Sequence, residues 1–383
     1  MSDPLLYPTF SDGEMARRGD AVRARMAERD LAGLVLYGAG RSADVRYLSD
    51  WPGTRESYLV FPRAGDPILL VQLYNHVPNA RRTASVADVR WGGVDSASSV
   101  VAALQERDAA SGRVGLVGPV PWRHHAALAR ALPDVEWVDA GAILRDARLV
   151  KSAEELRRIR IAARFTDMAM EALEREVRPG LREDQLAAIV EGAYAHEGGG
   201  HGIHFMATTA MRAPEIGVPS QIPSRRVIER GDVLITEISA EHAGYTGQIH
   251  RAYAIGGPPT DAYRRIHDAA VECYARVAAV LRDGATAEQV VDAAAVVHER
   301  GYTLYDDLFH GANQLPPILR TRATAHGPIP AFTFRADMVV VVQPNVVTAD
   351  ARMGVQVGET LRITPTGTER LHSYPMRFVV CGT

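Results

Sequence analysis

Residues 231–256 read GDVLITEISAEHAGYTGQIHRAYAIG, and this stretch decides the fold of the second half of the chain. The apolar run 233–235 suits a buried strand, Ala243-Gly244 suits a tight turn, and residues 245–253 resume a strand. We therefore predict a β-hairpin. The alternative interpretation is a surface hairpin whose polar side chains are all solvated.

Polar side chains recur along this hairpin at a spacing that places them in one pocket. Gln248 and His250 are two residues apart and share one face of their strand, because side chains alternate between the two faces. Glu237 lies on the other strand and is expected to point into the same cavity. An imidazole in this place can act as a general acid or base, with Glu237 fixing its tautomer or raising its pKa. The alternative is that His250 only hydrogen-bonds a main-chain group.

The composition is that of an ordinary globular protein. The chain has 383 residues, of which 46% are hydrophobic and 23% charged, so two domains with sizeable cores are expected. The net charge of −3 supplies no overall basic field, which argues against nucleic acid or an anionic membrane as a partner. Two cysteines make neither a disulfide framework nor a metal cluster, and no secretory or membrane-spanning segment is recognisable, so we expect a cytoplasmic protein.

The first 150 residues predict an α/β domain. Short buried strands and helical patterns alternate in it, the strands at residues 34–37, 58–61, 68–71, 114–117 and 135–138, and the helices at residues 11–30, 98–107 and 123–131. This alternation favours a layered domain with parallel strand pairing. The sequence Gly38-Ala39-Gly40 follows a predicted strand, but no third glycine completes a dinucleotide-binding loop, so a nucleotide cofactor is not expected.

Residues 151–383 form the predicted second domain. It opens with KSAEELRRIRIAARFTDMAMEAL, in which Ser152 and Glu155 form a capping box and the apolar residues keep a helical stripe. Further helices are predicted over residues 182–197, 260–281 and 286–299.

The framing residues of the hairpin resemble the first metal-ligand hairpin of the family that contains creatinase, Xaa-Pro aminopeptidase, prolidase and methionine aminopeptidase. Gly231-Asp232 before the hairpin, Gly244-Tyr245 at its turn and Arg251 after it match that frame without a gap. The resemblance extends over nearly the whole chain. It implies the pita-bread fold, in which a creatinase-type α/β N-terminal domain precedes an α+β catalytic domain with a curved antiparallel sheet.

The resemblance also implies where a pair of metal ions would bind, and four of the five ligand positions are changed in this chain. Glu237 and Gln248 stand in place of two aspartates, Gln343 and Gly358 stand in place of two glutamates, and His310 keeps the family histidine. A metal pair needs several anionic oxygens to offset two divalent cations. One carboxylate, one histidine and two amides do not supply them, so we expect no metal pair and no cofactor.

Three more residues become site candidates through the resemblance. His204 lies inside the strand that lines the family's pocket, whereas His201, in the glycine-rich segment before it, is expected to be solvated. Arg55 lies in a loop that approaches the partner subunit's site in the family, and its guanidinium fork would bind a substrate carboxylate. The alternative is a solvated arginine or one paired with Glu56. Asn313 would replace a lost family histidine as a neutral hydrogen-bond donor.

Three functions stay open at this point. The first is a metal-independent, creatinase-like hydrolase or lyase that acts on a C–N bond of a small polar metabolite, by acid-base catalysis through His250, Glu237, His204 and His310. The second is an Xaa-Pro peptidase with one surviving metal at Glu237 and His310. The third is a pseudo-enzyme that binds a peptide or protein in the old cleft. The resemblance implies a homodimer in each case.

In the first of these functions the amide side chains hold the substrate. Gln248 and Gln343 would bind it by hydrogen bonds at positions where the family holds metals, with Arg55 and Asn313 as further contacts. These hydrogen-bonding side chains are expected to bind a small polar molecule as the substrate.

Overall fold

A computed structural model describes residues 7–383, apart from the side chain of Gln314. The chain divides into two compact units, one that ends at Arg148 and one that covers Leu149–Thr383. Within the described residues, no helix combines the length and the apolar character that crossing a membrane requires.

The first unit is an α/β sandwich around one mixed sheet. Its helices are α1 (Asp12–Glu28), α2 (Ala43–Ser49), α3 (Val77–Thr83), α4 (Ser96–Glu106), α5 (Trp122–Ala131) and α6 (Gly141–Ala147). Its strands are β1 (Leu31–Gly38), β2 (Ser57–Pro62), β3 (Ile68–Val71), β4 (Asp88–Trp91), β5 (Arg113–Val117) and β6 (Glu136–Asp139). The strand order is β4-β3-β2-β1-β5-β6, and apolar clusters on the two sides of the sheet pack against the helices.

The α/β class predicted for this unit is confirmed, but the expectation of parallel pairing is only partly right. β1 pairs with β5 and β5 with β6 in parallel, whereas β1 with β2 and β2 with β3 are antiparallel. The short link at residues 63–67 accounts for the antiparallel pairing of β2 with β3, because a parallel connection needs a crossover of a dozen or more residues.

The second unit carries the larger sheet and five helices in its described residues. The helices are α7 (Ala153–Glu176), α8 (Glu183–Ala195), α9 (Asp261–Val280), α10 (Ala287–Ala293) and α11 (Val296–Glu299). The strands are β7 (Gly200–Ala210), β8 (Asp232–His242), β9 (Tyr245–Ile255), β10 (Thr303–Leu304), β11 (Phe309–Gly311), β12 (Leu315–Leu319), β13 (Val339–Val342), β14 (Asn345–Val347), β15 (Gly354–Gln356), β16 (Gly358–Ile363), β17 (Thr368–Arg370) and β18 (Val379–Cys381). Helix α7 begins at the predicted capping box of Ser152 and Glu155.

A curved, nine-stranded and mainly antiparallel sheet organises this unit. Seven strands follow the order β12-β11-β13-β16-β9-β8-β7, β17 pairs with β16, and β18 adds to β9 in parallel. A separate three-stranded sheet has the order β10-β14-β15. This architecture is the predicted pita-bread catalytic domain.

The two faces of the β8–β9 hairpin pack against different helices. Leu234 and Ile238 of β8 join the cluster formed by α7 and α8. Val233 and Ile235, one residue out of phase with them, join the cluster that includes α9. Because side chains alternate along a strand, Glu237 continues the face of Val233 and Ile235, at the point where the apolar cluster gives way to polar residues.

A buried ion pair anchors the hairpin to β16. Nη2 of Arg251 donates to Oε2 of Glu359 at 2.6 Å, and both side chains are fully buried. Arg251 also donates to the main-chain oxygens of His250 and Gly358, while Glu359 accepts from Tyr274 and Arg370. Glu359 therefore lies on the strand face opposite to position 358, as the alternation predicts.

Candidate active site

The predicted hairpin is present and places its polar residues side by side. The turn has positive φ at both Ala243 (50°) and Gly244 (88°), as a two-residue turn that matches the strand twist requires. Glu237 of β8 is the direct cross-strand partner of His250 of β9. Oε2 of Glu237 lies 3.9 Å from Nε2 of His250.

The side-chain amide of Gln248 is the centre of the cluster. Its Nε2 donates to Oε1 of Glu237 at 2.9 Å and to Oε1 of Gln343 at 3.1 Å, and it lies 3.2 Å from Nε2 of His250. His310 joins from β11, with its Nε2 3.2 Å from Oε1 of Gln343 and its Nδ1 bonded to the oxygen of Gly311 at 2.9 Å. The structure thus brings together five of the residues that the sequence selected, in one hydrogen-bonded group.

Only part of this group can be reached from solvent. Glu237 is 6% exposed and Gln248 is 5% exposed, whereas His310 is 1% exposed and His250 is fully buried. In this conformation a substrate therefore contacts the carboxylate and amides of the cluster before it contacts either imidazole.

The protonation of the cluster follows from its burial. Burial, reinforced by the negative charge of Asp306, raises the pKa of Glu237 to about 7. Burial lowers the pKa of His250 well below its ordinary value, with the nearby His310 and Arg251 adding to the effect. Burial also lowers the pKa of His310. Near neutral pH both imidazoles are therefore uncharged, and Glu237 is the group of the cluster that is poised to exchange a proton.

The donor set does not fit the metal pair that the family resemblance implies. A Cβ at Gly358 would lie 2.0 Å from the oxygen of Val342 and 2.8 Å from Cα of Gln343, so the backbone leaves no room for a ligand side chain there. The N–H groups of Gln248 point at Glu237 and Gln343, which puts hydrogen-bond donors where cations would need lone pairs. Within residues 7–383, the one set of three or more histidine, cysteine or acidic side chains with mutually close ligand atoms lies elsewhere.

Two buried residues belong to the cluster although the sequence did not single them out. Nε2 of Gln356 approaches Oε2 of Glu237 at 3.4 Å, and its Oε1 has no hydrogen-bond partner among the residues that the structure describes. Ser239 follows Glu237 by two residues on the same strand face, and within the described part of the chain its hydroxyl also has no hydrogen-bond partner. The sequence contained a signal for Gln356, which lies two residues before Gly358 in GVQVGET. Because side chains alternate between the two faces of a strand, both positions face the same side.

The expectation that His204 lines this cleft is wrong. His204 pairs with Ile238 on β8, one residue out of phase with Glu237, and therefore lies on the face that α8 covers. Its Nε2 is 2.8 Å from the hydroxyl of Tyr194. Burial, with the neighbouring His201, lowers the pKa of His204 to about 4. The strand was identified correctly, but the resemblance does not give its phase, and Phe205 is the residue that pairs with Glu237.

Asn313 and Arg55 lie outside the hydrogen-bonded group. Asn313 accepts from the hydroxyl of Thr246 at 2.7 Å and approaches the oxygen of Gly244, so it contacts the turn end of the hairpin. Arg55 is exposed in the first unit, where it lines a pocket together with Glu56 and His124. Their predicted substrate contacts stay predictions.

Two sequence profiles match the chain. Residues 18–150 match the creatinase/prolidase N-terminal domain, and residues 157–365 match metallopeptidase family M24. The Xaa-Pro dipeptidase of Pyrococcus furiosus is 27% identical over 236 residues, which span 60% of this chain and 64% of that protein. The uncharacterised hydrolase/peptidase y4tL of Sinorhizobium fredii is 27% identical over 300 residues, which span 74% of this chain and 76% of the relative.

Solved structures share the fold over almost their whole length. The Xaa-Pro dipeptidase from Bacillus anthracis has a TM-score of 0.82 at 20% identity and covers 96% of this chain and 99% of its own. The dipeptidase PepE from Mycobacterium ulcerans has a TM-score of 0.79 at 24% identity and covers 97% and 99%.

The fold and the matching sequence profiles together define a pita-bread protein of the hydrolase type. The chain belongs to metallopeptidase family M24 and joins its catalytic domain to a creatinase/prolidase N-terminal domain. It is a member in which most of the metal-ligand positions identified by the sequence resemblance carry other residues.

Proposed function

We propose that this protein is a metal-independent hydrolase that cleaves a C–N bond of a small polar molecule, with Glu237 as the group that transfers the proton. The observation that carries the proposal is the combination of a pKa of about 7 with residual exposure at Glu237, inside a cluster whose other members are neutral. A carboxylate with a pKa near the working pH is an efficient general base.

The reaction follows from the contacts of Glu237. Its ionised carboxylate takes a proton from a water molecule as the water oxygen bonds to the substrate carbon. The same proton then passes to the nitrogen as the C–N bond breaks, which regenerates the carboxylate and releases an amine. General acid-base assistance of this kind accelerates a reaction by about 10²- to 10⁴-fold.

The amides of the cluster support the carboxylate and the substrate. Gln248 fixes Oε1 of Glu237 by its 2.9 Å hydrogen bond, so the other oxygen faces Gln356 and the reacting water. Gln356 and Ser239 are buried behind the carboxylate, where the Oε1 of Gln356 and the hydroxyl of Ser239 have no hydrogen-bond partner among the described residues. His250 is a positioning residue in this proposal, because it is fully buried and contacts Gln248. This revises the role that the sequence suggested for it.

A second candidate is hydrolysis of Xaa-Pro dipeptides, which is favoured by the Xaa-Pro dipeptidase of Pyrococcus furiosus among the relatives. The two candidates differ in their dependence on metal. In the second candidate the buried side chains of Glu237 and His310 would be the protein ligands of a single cation.

One screen separates the two candidates. Tag-free protein treated with chelator is assayed against a panel of amide, amidine and guanidino compounds and against Xaa-Pro dipeptides. Turnover of a compound of the first group that is unchanged by chelation and lost in Glu237→Gln supports the proposal. Dipeptide turnover that appears only after Mn²⁺ or Co²⁺ is added would replace it with the second candidate. Glu171→Gln, an exposed carboxyl on α7, is the matched control.

A further inference from the structure

Three ligand-type side chains converge on the face of the sheet that is opposite to the cleft. Glu191 comes from α8, and His201 and His204 come from β7. Nδ1 of His201 lies 3.1 Å from Oε1 of Glu191 and 3.1 Å from Nδ1 of His204, and Nδ1 of His204 lies 3.4 Å from Oε1 of Glu191. The three atoms form a nearly regular triangle.

The size of this triangle matches a tetrahedral metal ion. Zinc binds imidazole nitrogen and carboxylate oxygen at about 2.0–2.1 Å, so two ligand atoms of an ideal tetrahedron lie about 3.3 Å apart. The measured separations of 3.1, 3.1 and 3.4 Å are close to this value without any rearrangement. A set of two histidines and one glutamate leaves the fourth position for water.

A β-bulge builds the site. Residues three apart on a regular strand point to opposite faces, so His201 and His204 would normally be separated by the sheet. The register between β7 and β8 shifts between His201 and Ile203, which returns His201 to the face of His204. Gly202 makes this possible, because a Cβ there would lie 2.5 Å from the oxygen of Ser239.

A buried tyrosine orients the less exposed ligand. Nε2 of His204 is 2.8 Å from the hydroxyl of Tyr194, which is 1% exposed. When Nε2 carries the proton and donates to Tyr194, the lone pair of Nδ1 faces His201 and Glu191. Histidines that bind metals almost always donate their other N–H to such a partner.

We propose that Glu191, His201 and His204 bind one Zn²⁺ ion, with water as the fourth ligand, at a site separate from the cleft. The separation follows from the strand phase, since His204 pairs with Ile238 and not with Glu237. His201 and Glu191 are exposed, so the ion exchanges with solvent. The bound ion ties α8 to β7 and thereby stabilises the folded state.

The test is a zinc titration of tag-free, metal-stripped protein, by calorimetry with a competing chelator. We expect one equivalent of Zn²⁺, a rise in melting temperature on binding, and tetrahedral ligand-field bands when Co²⁺ replaces zinc. His201→Ala and Glu191→Ala should each weaken binding by more than tenfold. Tyr194→Phe keeps every ligand and should weaken it by about 10- to 100-fold, as removal of such a partner usually does.

Two control variants locate the ion. His326→Ala removes an exposed histidine elsewhere and should bind zinc like the wild type, and Glu237→Gln should also leave the affinity unchanged. The absence of stoichiometric binding by the wild type would overturn the proposal. Binding that survives both His201→Ala and Glu191→Ala but is lost in Glu237→Gln would overturn it as well, by placing the ion in the cleft. The proposed hydrolysis uses only cleft residues. If no hydrolysis were observed, the zinc titration would therefore still test this site independently.

Discussion

Glu237 and His250 are direct neighbours across the β8–β9 ladder, yet only the side chain of Glu237 retains any exposure, 8% against 0% for His250. The carboxylate is therefore the member of the pair that can exchange a proton with a bound molecule. The imidazole stays neutral beside it, because burial lowers its pKa. This division of roles leads to the predictions for the cleft.

The activity should depend on pH through Glu237. The carboxyl has a pKa of about 7 and acts as a base only when ionised, so kcat/KM should rise with pH and level off above an apparent pKa near 7. Glu237→Gln should lower kcat by about 10²-fold or more and abolish this dependence. Initial rates between about pH 5 and pH 9 measure both effects. If the fall of kcat/KM at acidic pH persisted in Glu237→Gln, the pH dependence would have to be assigned to another group.

The same carboxyl should make folding stability depend on pH. Its folded pKa of about 7 exceeds the ordinary value of 4.5, so the folded state holds its proton more tightly, and stability is lost as pH rises between these values. Glu237→Gln removes this loss and should be more stable than the wild type above pH 7, by up to about 3 kcal/mol. Denaturant titrations at about pH 5 and pH 8 test it. A stability difference that is equal at both pH values would contradict the raised pKa.

His250→Ala should separate positioning from catalysis. The variant loses the contact that His250 makes with Gln248 and should lower kcat, but the acidic limb near pH 7 should remain, because Glu237 is still present. The measurement is the pH profile of the variant beside that of Glu237→Gln. If His250→Ala lost both the activity and the fall of the rate at acidic pH, the proton-transfer role would have to be assigned to His250.

Removal of Arg251 from its buried ion pair with Glu359 should destabilise the second unit strongly. Arg251→Met leaves several buried carbonyl groups, among them those of His250 and Gly358, without their donor and leaves Glu359 with only Tyr274 and Arg370, so the free energy of unfolding should fall by about 3–5 kcal/mol. Arg276→Ala removes an arginine that is 50% exposed and paired with Glu272, and should change stability by less than about 1 kcal/mol. Similar effects of the two substitutions would show that the buried pair contributes little.

Gly358 should not tolerate even a methyl group. In Gly358→Ala the new Cβ meets the oxygen of Val342 at 2.0 Å, so β16 must shift and the free energy of unfolding should fall by about 1–3 kcal/mol or more. Gly192→Ala is the matched control, because no described atom other than the backbone of α8 itself lies within 4 Å of its Cβ position, and α8 should gain about 0.5–1 kcal/mol. A variant at position 358 as stable as the wild type would refute the close approach.

Much of the fold follows from local sequence signals. The hairpin was predictable because its turn residues, its apolar run and its polar spacing agree with one another, and α7 because Ser152 and Glu155 cap it. The convergence of His310 and Gln343 on Gln248 was reached only through the family resemblance, since these residues come from distant strands.

The errors have a common physical origin in strand phase and burial. His204 was assigned to the cleft because the resemblance identifies its strand but not the phase of that strand, and the pairing places Phe205, not His204, opposite Glu237. His250 was chosen as the proton carrier because its ordinary pKa suits neutral pH, whereas complete burial removes that property. Neither effect is local in sequence.

The glycine at position 358 also makes the altered cleft hard to reverse. A single substitution that brought back a carboxylate there would collide with the main chain of β13 before it could reach a cation. Metal ligation from this position would thus require a displaced backbone first and new ligand side chains afterwards. The close approach of β16 to β13 therefore restricts position 358 to glycine, and the chemistry of the cleft can be varied only through its other side chains.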